Sequence, residues 1–170
     1  MHIQCTKKML DFLKPNITNK DTDDDIYAWH ANYIVRSGKK LFLFVNDLTK
    51  FSIVLYPVKK GDLKDISTWF ETFLTEAFFE AGFTDEEVHK YFRHAPNAFT
   101  FYKTKNRFQV ARLNKSMEMA DAYCGKQGIL DQVLHQVYAS GFVNDCYVTE
   151  NNGKIYYTPI KKMKAYLELL

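Results

Sequence analysis

Residues 41–45 are apolar at every position, in the order LFLFV, and turn-forming residues stand on both sides of them. Successive side chains of a strand point to opposite faces of a sheet, so this unbroken run predicts a central strand covered on both sides. Apolar residues recur at alternate positions in residues 29–35, and residues 51–56 form another β-type segment. Because short turn segments at 37–39 and 46–50 join these segments, the sequence predicts an antiparallel meander.

Helical periodicity dominates the sequence after the meander. Residues 62–82 repeat their apolar side chains with a period near 3.6, which predicts a long amphipathic helix. A capping box formed by Thr84 and Glu87 opens a shorter helix behind it. A strand is predicted at 98–102, and helical spacing returns at 109–124 and at 129–138.

Short segments at the two ends complete the predicted fold. A strand at 3–5 and a helix at 7–13 precede the meander. A hairpin at 145–157 carries an Asn-Gly turn signal, and the Thr158-Pro159 pair opens a terminal helix. The sequence therefore predicts an α+β fold. Its antiparallel β-meander is covered on one face by amphipathic helices and is followed by a C-terminal helix–hairpin–helix extension.

Length and composition favour an ordinary folded domain. The 170 residues fit a single domain, 1–170, and the content of 46% hydrophobic and 25% charged residues excludes a disordered or collagen-like chain. The three cysteines are far apart and form no CxxC pair, which argues against a disulfide framework. No signal peptide and no apolar stretch of about 20 residues is visible. We therefore expect a soluble, cytoplasmic protein without membrane association.

Motifs for metals and cofactors are missing from the sequence. The acidic residues 21–25 begin like a calcium-binding loop, but Ile26 replaces its glycine and Asn32 replaces its final glutamate. The histidines show no HExxH or HxH spacing, and there is no GxGxxG, GxxxxGK[ST] or GxSxG. We therefore predict no bound metal and no cofactor.

One polar set on the meander could carry chemistry. Strand alternation places His30 and Asn32 on one sheet face, near the turn that holds Asn46 and Asp47. A histidine beside a carboxylate can act in acid–base catalysis or bind a ligand. The alternative interpretation is a hydrogen-bonded polar cluster that only fixes the sheet.

The small net charge of +3 hides two adjacent blocks of opposite charge. Residues 62–87 contain eight acids and one base, Lys64, for a net charge of −7. Residues 88–117 contain seven bases and no acid, for a net charge of +7. The two blocks could neutralise each other within the fold, or the basic block could face solvent and bind an anionic partner.

Aromatic side chains interleave with the bases in the second block. Such a mixture suits phosphates and stacked bases of nucleic acid, and it equally suits an acidic protein surface. The predicted binding residues are Lys103, Lys105, Arg107, Arg112, Lys115, Phe101, Tyr102 and Phe108.

Several short strings, taken in order, resemble an uncharacterised bacterial family that is known as a domain of unknown function. The strings are IQCTKK at 3–8, WHAN at 29–32, VND at 45–47, VLY at 54–56 and TKNR at 104–107, followed by Val110 and Leu113-Asn114. The resemblance covers about residues 3–120 and leaves 126–170 as an extension. Members of the family are sometimes found with plasmid-type open reading frames. The resemblance therefore implies a bacterial, phage or plasmid setting and no particular reaction. It nominates the motif positions Trp29, His30, Asn32, Asn46, Asp47, Arg107 and Asn114.

Three functional hypotheses follow from the sequence. The leading one is a non-enzymatic binding or regulatory module that engages nucleic acid or an acidic protein surface, and a host-defence inhibitor is one version of it. The second is a small hydrolase- or nuclease-like enzyme whose candidate catalytic residues are His30, Asn32, Asp47 and Arg107. The third is a structural protein that forms a homodimer through exposed aromatic side chains.

Overall fold

The computed structural model of the chain describes residues 1–18, 26–104, 106–127, 133–151 and 153–170. The strands are β1 (His2–Cys5), β2 (Ala28–Arg36), β3 (Lys39–Asn46), β4 (Ser52–Val58), β5 (Thr100–Lys103), β6 (Val148–Glu150) and β7 (Ile155–Tyr157). The helices are α1 (Lys7–Leu13), α2 (Ile66–Glu80), α3 (Asp85–His94), α4 (Arg107–Gln127), α5 (Val133–Asp145) and α6 (Pro159–Leu169). A 3-10 helix, Lys60–Asp65, leads into α2.

A mixed sheet of five strands, in the order β4-β3-β2-β1-β5, lies at the centre of the fold. The strands β2, β3 and β4 form the predicted antiparallel meander. β1 lies between β2 and β5 and runs parallel to both, with Ile3 beside Trp29 on one side and Phe101 on the other. The predicted α+β class and the C-terminal helix–hairpin–helix order are therefore confirmed.

The first face of the sheet carries an aromatic core. Trp29 of β2 and Phe44 of β3 each contact Phe70 of α2, with ring centroids 5.1 Å apart in both pairs. The indole nitrogen of Trp29 donates a hydrogen bond to the hydroxyl of Tyr91 on α3, at 3.3 Å. Met163 of α6 is also fully buried in this core. The C-terminal helix is thus part of the main hydrophobic core and does not lie apart from it.

The opposite face of the sheet is covered as well, whereas the sequence predicted helices on one face. Leu41, Leu43 and Val45 of β3 are buried on this side with Leu113 and Met117 of α4. The intervening Phe42 and Phe44 belong to the first core. The continuous apolar run at 41–45 therefore has a simple cause, because its alternate residues fill two different cores.

Helix α5 lies along β4, the edge strand of the sheet, and pairs with its main chain through side chains. A four-residue step along a helix advances about 6 Å and a two-residue step along a strand about 6.7 Å, so the two repeats nearly match. The pairs are Gln136 with Tyr56, Ser140 with Val54, and Asn144 with Ser52. These side chains satisfy main-chain groups that an exposed edge strand would leave unpaired.

Two helix boundaries differ from the prediction. Helix α2 begins at Ile66 and not at Asp62, because residues 60–65 wind as a 3-10 helix before the buried apolar stripe starts. Helix α5 continues to Asp145, beyond the predicted end at 138, because its polar side chains face β4 and keep that stretch buried. The predicted acidic loop at 21–25 lies outside the described residues.

Candidate functional site

His30 and Asp47 form a buried pair at the centre of the site. His30 points from β2 toward the sheet face that α4 covers, since it stands beside Val45 in the strand register. Asp47 follows the end of β3 directly. His30 Nδ1 lies 2.5 Å from Asp47 Oδ1, and the two side chains are 1% and 0% exposed. The predicted proximity of the histidine to this turn is therefore observed.

Neighbouring polar groups hold Asp47 in place. Gln4 Nε2 of β1 donates to Asp47 Oδ2 at 2.7 Å, and the main-chain nitrogen of Asp47 donates to Ala28 O at 2.8 Å. The main-chain oxygen of Asp47 accepts hydrogen bonds from the Lys50 ammonium and, at 3.0 Å, from Gln109 Nε2. Strands β1 and β2 thus contact the carboxylate of Asp47, and helix α4 holds its main chain.

Thr104 lies on the other side of the imidazole ring. Its Oγ1 is 2.7 Å from His30 Nε2, although 74 residues separate the two in sequence. Thr104 follows β5 directly and its main-chain nitrogen donates to Cys5 O at 3.1 Å, which fixes the position of its backbone. The result is a continuous carboxylate–imidazole–hydroxyl chain of Asp47, His30 and Thr104.

The other motif positions have different environments. Asn46 is buried and organises the turn, because its amide donates to Ile26 O at 2.8 Å and its carbonyl accepts from the main chain of Thr49 at 2.9 Å. Asn32 accepts a hydrogen bond from the Thr6 hydroxyl at 2.8 Å. The remaining positions lie in the first core or on the surface: Trp29 is buried in the core, and Arg107 and Asn114 are exposed on α4.

The predicted candidate catalytic residues therefore do not all meet. His30 and Asp47 are in direct contact, Asn32 is engaged by Thr6, and Arg107 is the exposed first residue of α4. Because α4 packs on the face from which His30 projects, Arg107 lies on the same side of the sheet as the histidine.

The predicted basic–aromatic binding residues divide into surface and core positions. Lys103, Arg107 and Lys115 are exposed, and Phe108 is 55% exposed. The aromatic residues of β5 serve the fold instead, since Tyr102 is buried and its hydroxyl lies 3.3 Å from His2 Nδ1. The partly buried Phe101 packs against the first core, and Lys105 lies outside the described residues.

A cleft of about 550 Å³ separates the start of α4 from the β6–β7 hairpin. Arg112 bridges the two walls, because its guanidinium donates to the main-chain oxygen of Thr149 and its Cζ lies 5.6 Å from the ring centroid of Phe108. The cleft is lined by Phe108, Arg112, Thr149, Glu150, Asn151 and Gly153.

Two tyrosines of the hairpin stand exposed beside this cleft. Tyr147 is 72% exposed and Tyr156 is 65% exposed. Tyr156 pairs with Thr149 across the hairpin, so these two share one face, and Tyr147 directly precedes β6. No local signal in the sequence marks these tyrosines, because the proximity of the hairpin to α4 depends on tertiary structure.

Glu150 on the cleft wall is paired. Its carboxylate accepts from the Tyr157 hydroxyl at 2.6 Å and from Lys162 Nζ at 3.1 Å. Partial burial raises the pKa of Glu150, but the hydrogen bonds from Tyr157 and Lys162 outweigh it and the pKa is lowered overall. Burial, followed by the hydrogen bond to Glu150, raises the pKa of Tyr157. The cleft wall therefore carries an acid, Glu150, whose charge is paired with Lys162, and it lies next to the basic start of α4.

Two further searches of the described residues gave negative results. No helix there is both long and apolar enough to cross a membrane. No three His, Cys, Asp or Glu side chains there are grouped so that they could hold a metal ion.

Comparison with known proteins places the chain in a family. No curated protein matches it. The sequence model of one family, described as Domain of unknown function (DUF6933), matches residues 2–162. The match extends beyond residues 3–120, where the resemblance was found, and includes most of the predicted C-terminal extension. The carboxylate–imidazole–hydroxyl chain and the basic start of α4 thus both fall within the matched region, and the chain belongs to the DUF6933 family.

Proposed function

We propose that this protein is a binding module that engages single-stranded nucleic acid. The binding site is the basic–aromatic surface, defined as Lys103, Arg107, Phe108, Arg112, Lys115, Tyr147 and Tyr156. The observation that carries the proposal is the position of the cations of α4: Arg107, Arg112 and Lys115 lie on the sheet face opposite to the acidic helices α2 and α3, and Lys103 lies at the end of β5, close in sequence to the start of α4.

Internal neutralisation does not account for the basic block. Glu71, Glu76 and Glu80 of α2 are exposed, and α2 packs on the first core while α4 packs on the second. Among the described residues, neither Lys103 nor Arg107 forms an ion pair, and Lys115 pairs with the exposed Glu118 of its own helix at 3.5 Å. The positive potential of this surface is therefore available to an external anion.

The start of α4 is an unfavourable place for cations unless an anion binds there. The helix dipole places partial positive charge at the N-terminus, so acidic residues stabilise a first turn and basic residues do not. The first turn of α4 contains no acid and begins with Arg107. Asn106 caps the helix, since its Oδ1 accepts from the main-chain nitrogens of Phe108 and Gln109 at 3.0 and 3.2 Å. Arg107 thus adds to a positive end that is already formed.

The exposed aromatic rings favour single-stranded nucleic acid over an acidic protein. Phe108, Tyr147 and Tyr156 expose 55%, 72% and 65% of their surface; Phe108 lines the cleft, and the two tyrosines belong to or directly precede the hairpin that forms its other wall. Aromatic platforms that alternate with cations bind single strands, because bases stack on the rings while phosphates contact the cations. An acidic peptide would use the cations and leave the rings without a function.

The proposed setting is the cytoplasm of a bacterium, or of a host cell when a phage or plasmid carries the gene. All three cysteines are free thiols, which supports a reducing compartment. A regulatory module of a mobile element, such as an inhibitor of host defence that acts on nucleic acid, is consistent with this setting.

Fluorescence anisotropy with labelled oligo-dT and oligo-U at increasing salt tests the proposal. We expect binding that weakens with salt, and the double variant Lys103→Gln/Arg107→Gln should reduce the slope of log K against log salt by about 1.4, since each phosphate contact on a single strand contributes about 0.7. The matched control is Lys7→Gln/Lys161→Gln, which removes two exposed lysines elsewhere and should leave the slope unchanged.

A second pair of variants tests the stacking. Tyr147→Leu and Tyr156→Leu should each weaken binding by about 1–3 kcal/mol without a change in the salt slope. Absence of binding at low salt, or equal binding of polyglutamate, would overturn the proposal. Light scattering at several concentrations tests the homodimer hypothesis. A dimer that buries Tyr147 and Tyr156 would also contradict the proposed binding of nucleic acid.

A further inference from the structure

The hydroxyl of Thr104 lies at the end of a hydrogen-bonded chain that starts at a buried carboxylate. Asp47 Oδ1 is 2.5 Å from His30 Nδ1, and His30 Nε2 is 2.7 Å from Thr104 Oγ1. An ionised carboxylate only accepts hydrogen bonds, so beside it the imidazole carries a proton on Nδ1, and in the neutral tautomer with that proton Nε2 presents a lone pair. The hydroxyl of Thr104 then donates to His30, which is the arrangement of a nucleophile and its general base.

Asp47 is a positioning residue in this arrangement. Its second oxygen is occupied by Gln4 Nε2 at 2.7 Å, so the carboxylate can turn neither away from His30 nor toward solvent. A fixed carboxylate selects the tautomer of the ring and stabilises the imidazolium that forms when His30 takes a proton. A hydroxyl that only anchored the loop would not need this support, and the backbone of Thr104 is already bonded to Cys5.

The hydrogen-bonded chain runs from a fully buried acid and base to a partly exposed residue. The side chains of Asp47 and His30 are 0% and 1% exposed, whereas Thr104 is partly exposed. Thr104 follows the exposed Lys103 and stands two residues before Asn106, which caps α4. Cations and a helix start are groups that stabilise negative charge on a reacting oxygen. Thr104 is therefore the most exposed of the three residues, and it lies just before the start of α4.

We propose that Thr104 is the nucleophile of an acyl-transfer site, with His30 as its general base and carboxylic esters as the substrate class. In the first step Thr104 Oγ1 attacks the carbonyl carbon of the ester and its proton passes to His30 Nε2. The bond from that carbon to the leaving oxygen breaks, and the leaving alcohol takes the proton from His30. Water then attacks the threonyl ester with the same base, which releases the acid and restores the hydroxyl. This activity is independent of the proposed nucleic-acid binding.

The probe is p-nitrophenyl acetate, added to the folded full-length protein. Released p-nitrophenol reports the rate, and mass spectrometry of peptides locates the acetyl group after a rapid quench. We expect an acetyl group on Thr104 in the folded protein and none on that residue in denaturant. Bis(p-nitrophenyl) phosphate serves as a competing class of substrate, and its faster cleavage would overturn the assignment to carboxylic esters.

Variants of the three residues separate chemistry from folding. Thr104→Val should abolish the acetyl group at this position and Thr104→Ser should retain it. The control Thr100→Val changes a partly exposed threonine at the start of β5 and should have no effect. His30→Gln should lower the rate by about 100-fold or more, the usual contribution of a general base.

The variant Asp47→Asn tests whether Asp47 sets the tautomer of His30, which would not change if Asp47 had only a structural role. ¹⁵N NMR should show His30 protonated on Nδ1 in the wild type and a changed tautomer in the variant, together with a lower acylation rate. Thermal unfolding followed by circular dichroism shows whether each variant is folded. If the His30 or Asp47 variants unfold, acetylation at position 104 in Thr104→Ser and its loss in Thr104→Val test the proposal without them. Acetyl groups on lysines alone, with Thr104 unmodified in the wild type, would overturn the proposal.

Discussion

The side-chain amide of Asn144 exchanges two hydrogen bonds with the main chain of Ser52. Ser52 N donates to Asn144 Oδ1 at 2.6 Å, and Asn144 Nδ2 donates to Ser52 O at 2.9 Å. A residue of a neighbouring antiparallel strand would make the same pair of bonds. A single side chain of α5 therefore replaces one residue of a missing strand.

Removal of this amide should destabilise the protein. Asn144→Ala leaves the buried N–H and C=O of Ser52 without these partners, and each unpaired group costs about 1–3 kcal/mol of unfolding free energy. Urea unfolding followed by circular dichroism measures the loss. The matched control is Asn114→Ala, an exposed asparagine of α4, for which we expect a change within about 0.5 kcal/mol. Equal losses in the two variants would contradict the assigned role.

The backbone of Lys50 gives a second prediction. Its φ of 66° lies in the left-handed region, which costs a residue with a Cβ roughly 1–2 kcal/mol and glycine little. Lys50→Gly and Lys50→Ala both remove the ammonium that bonds to Asp47 O and, at 2.9 Å, to Gln109 Oε1. Both should destabilise, but the glycine variant should be the more stable of the two by about 1 kcal/mol in urea unfolding.

Inside a helix, the alanine variant should instead be more stable than the glycine variant. At Lys115, on the exposed face of α4, Lys115→Gly should be less stable than Lys115→Ala by about 1 kcal/mol. If the alanine variant is the more stable one at Lys50 as well, the left-handed backbone at Lys50 carries no cost.

The lowered pKa of Glu150 predicts that the free energy of unfolding depends on pH. Its pKa is lowered in the folded state, with burial opposing the shift and the hydrogen bonds from Tyr157 and Lys162 causing it. Its contribution is therefore present above the ordinary pKa of glutamate, about 4.3, and is lost as the pH falls through the folded-state pKa. The free energy of unfolding of the wild type minus that of Glu150→Gln should be positive at pH 7 and should shrink below pH 4.

The size of this difference is modest because the pair is partly exposed. Glu150 and Lys162 are 25% and 21% exposed, so we expect roughly 0.2–1 kcal/mol at pH 7. Lys162→Met should remove most of the same pH dependence. A pH-dependent difference that persists unchanged in the Lys162→Met background would assign it to another group.

The cysteines should react in a fixed order with iodoacetamide. Burial raises the pKa of Cys5 to about 12 and that of Cys124 to about 11, so both remain thiols at pH 8 and are also shielded. Cys146 is only half-buried, although burial also raises its pKa. Peptide mass spectrometry should show alkylation of Cys146 first, with Cys5 and Cys124 protected until denaturant is added. Early alkylation of Cys5 would contradict its burial in the first core.

Elements that depend on local pattern could be predicted from the sequence. The helix at 7–13, the capping box of Thr84 and Glu87 and the central strand at 41–45 are observed, because each depends on residues close together in the chain. The same holds for the shared face of His30 and Asn32, which follows from strand alternation alone.

The remaining features depend on contacts between distant segments. No local signal shows that β1 inserts in parallel between β2 and β5, or that Thr104 approaches His30 across 74 residues. Polar residues such as Ser140 and Asn144 on a helix usually indicate a solvated face, and here they face β4 instead. The length of α5 was misjudged for this reason, and no local signal shows that α4 is the helix that covers the second sheet face.

The parallel insertion of β1 has a consequence for synthesis on the ribosome. β1 is made before β5, and His2 of β1 pairs with Thr100 of β5, which lies 98 residues later in the chain. At 5–20 residues per second, the interval between the two strands is on the order of ten seconds. During that time β2, β3 and β4 can pair, while β1 keeps one side unpaired. The nascent chain therefore carries an open strand edge until its middle third has emerged, and this is the period in which a chaperone would protect it.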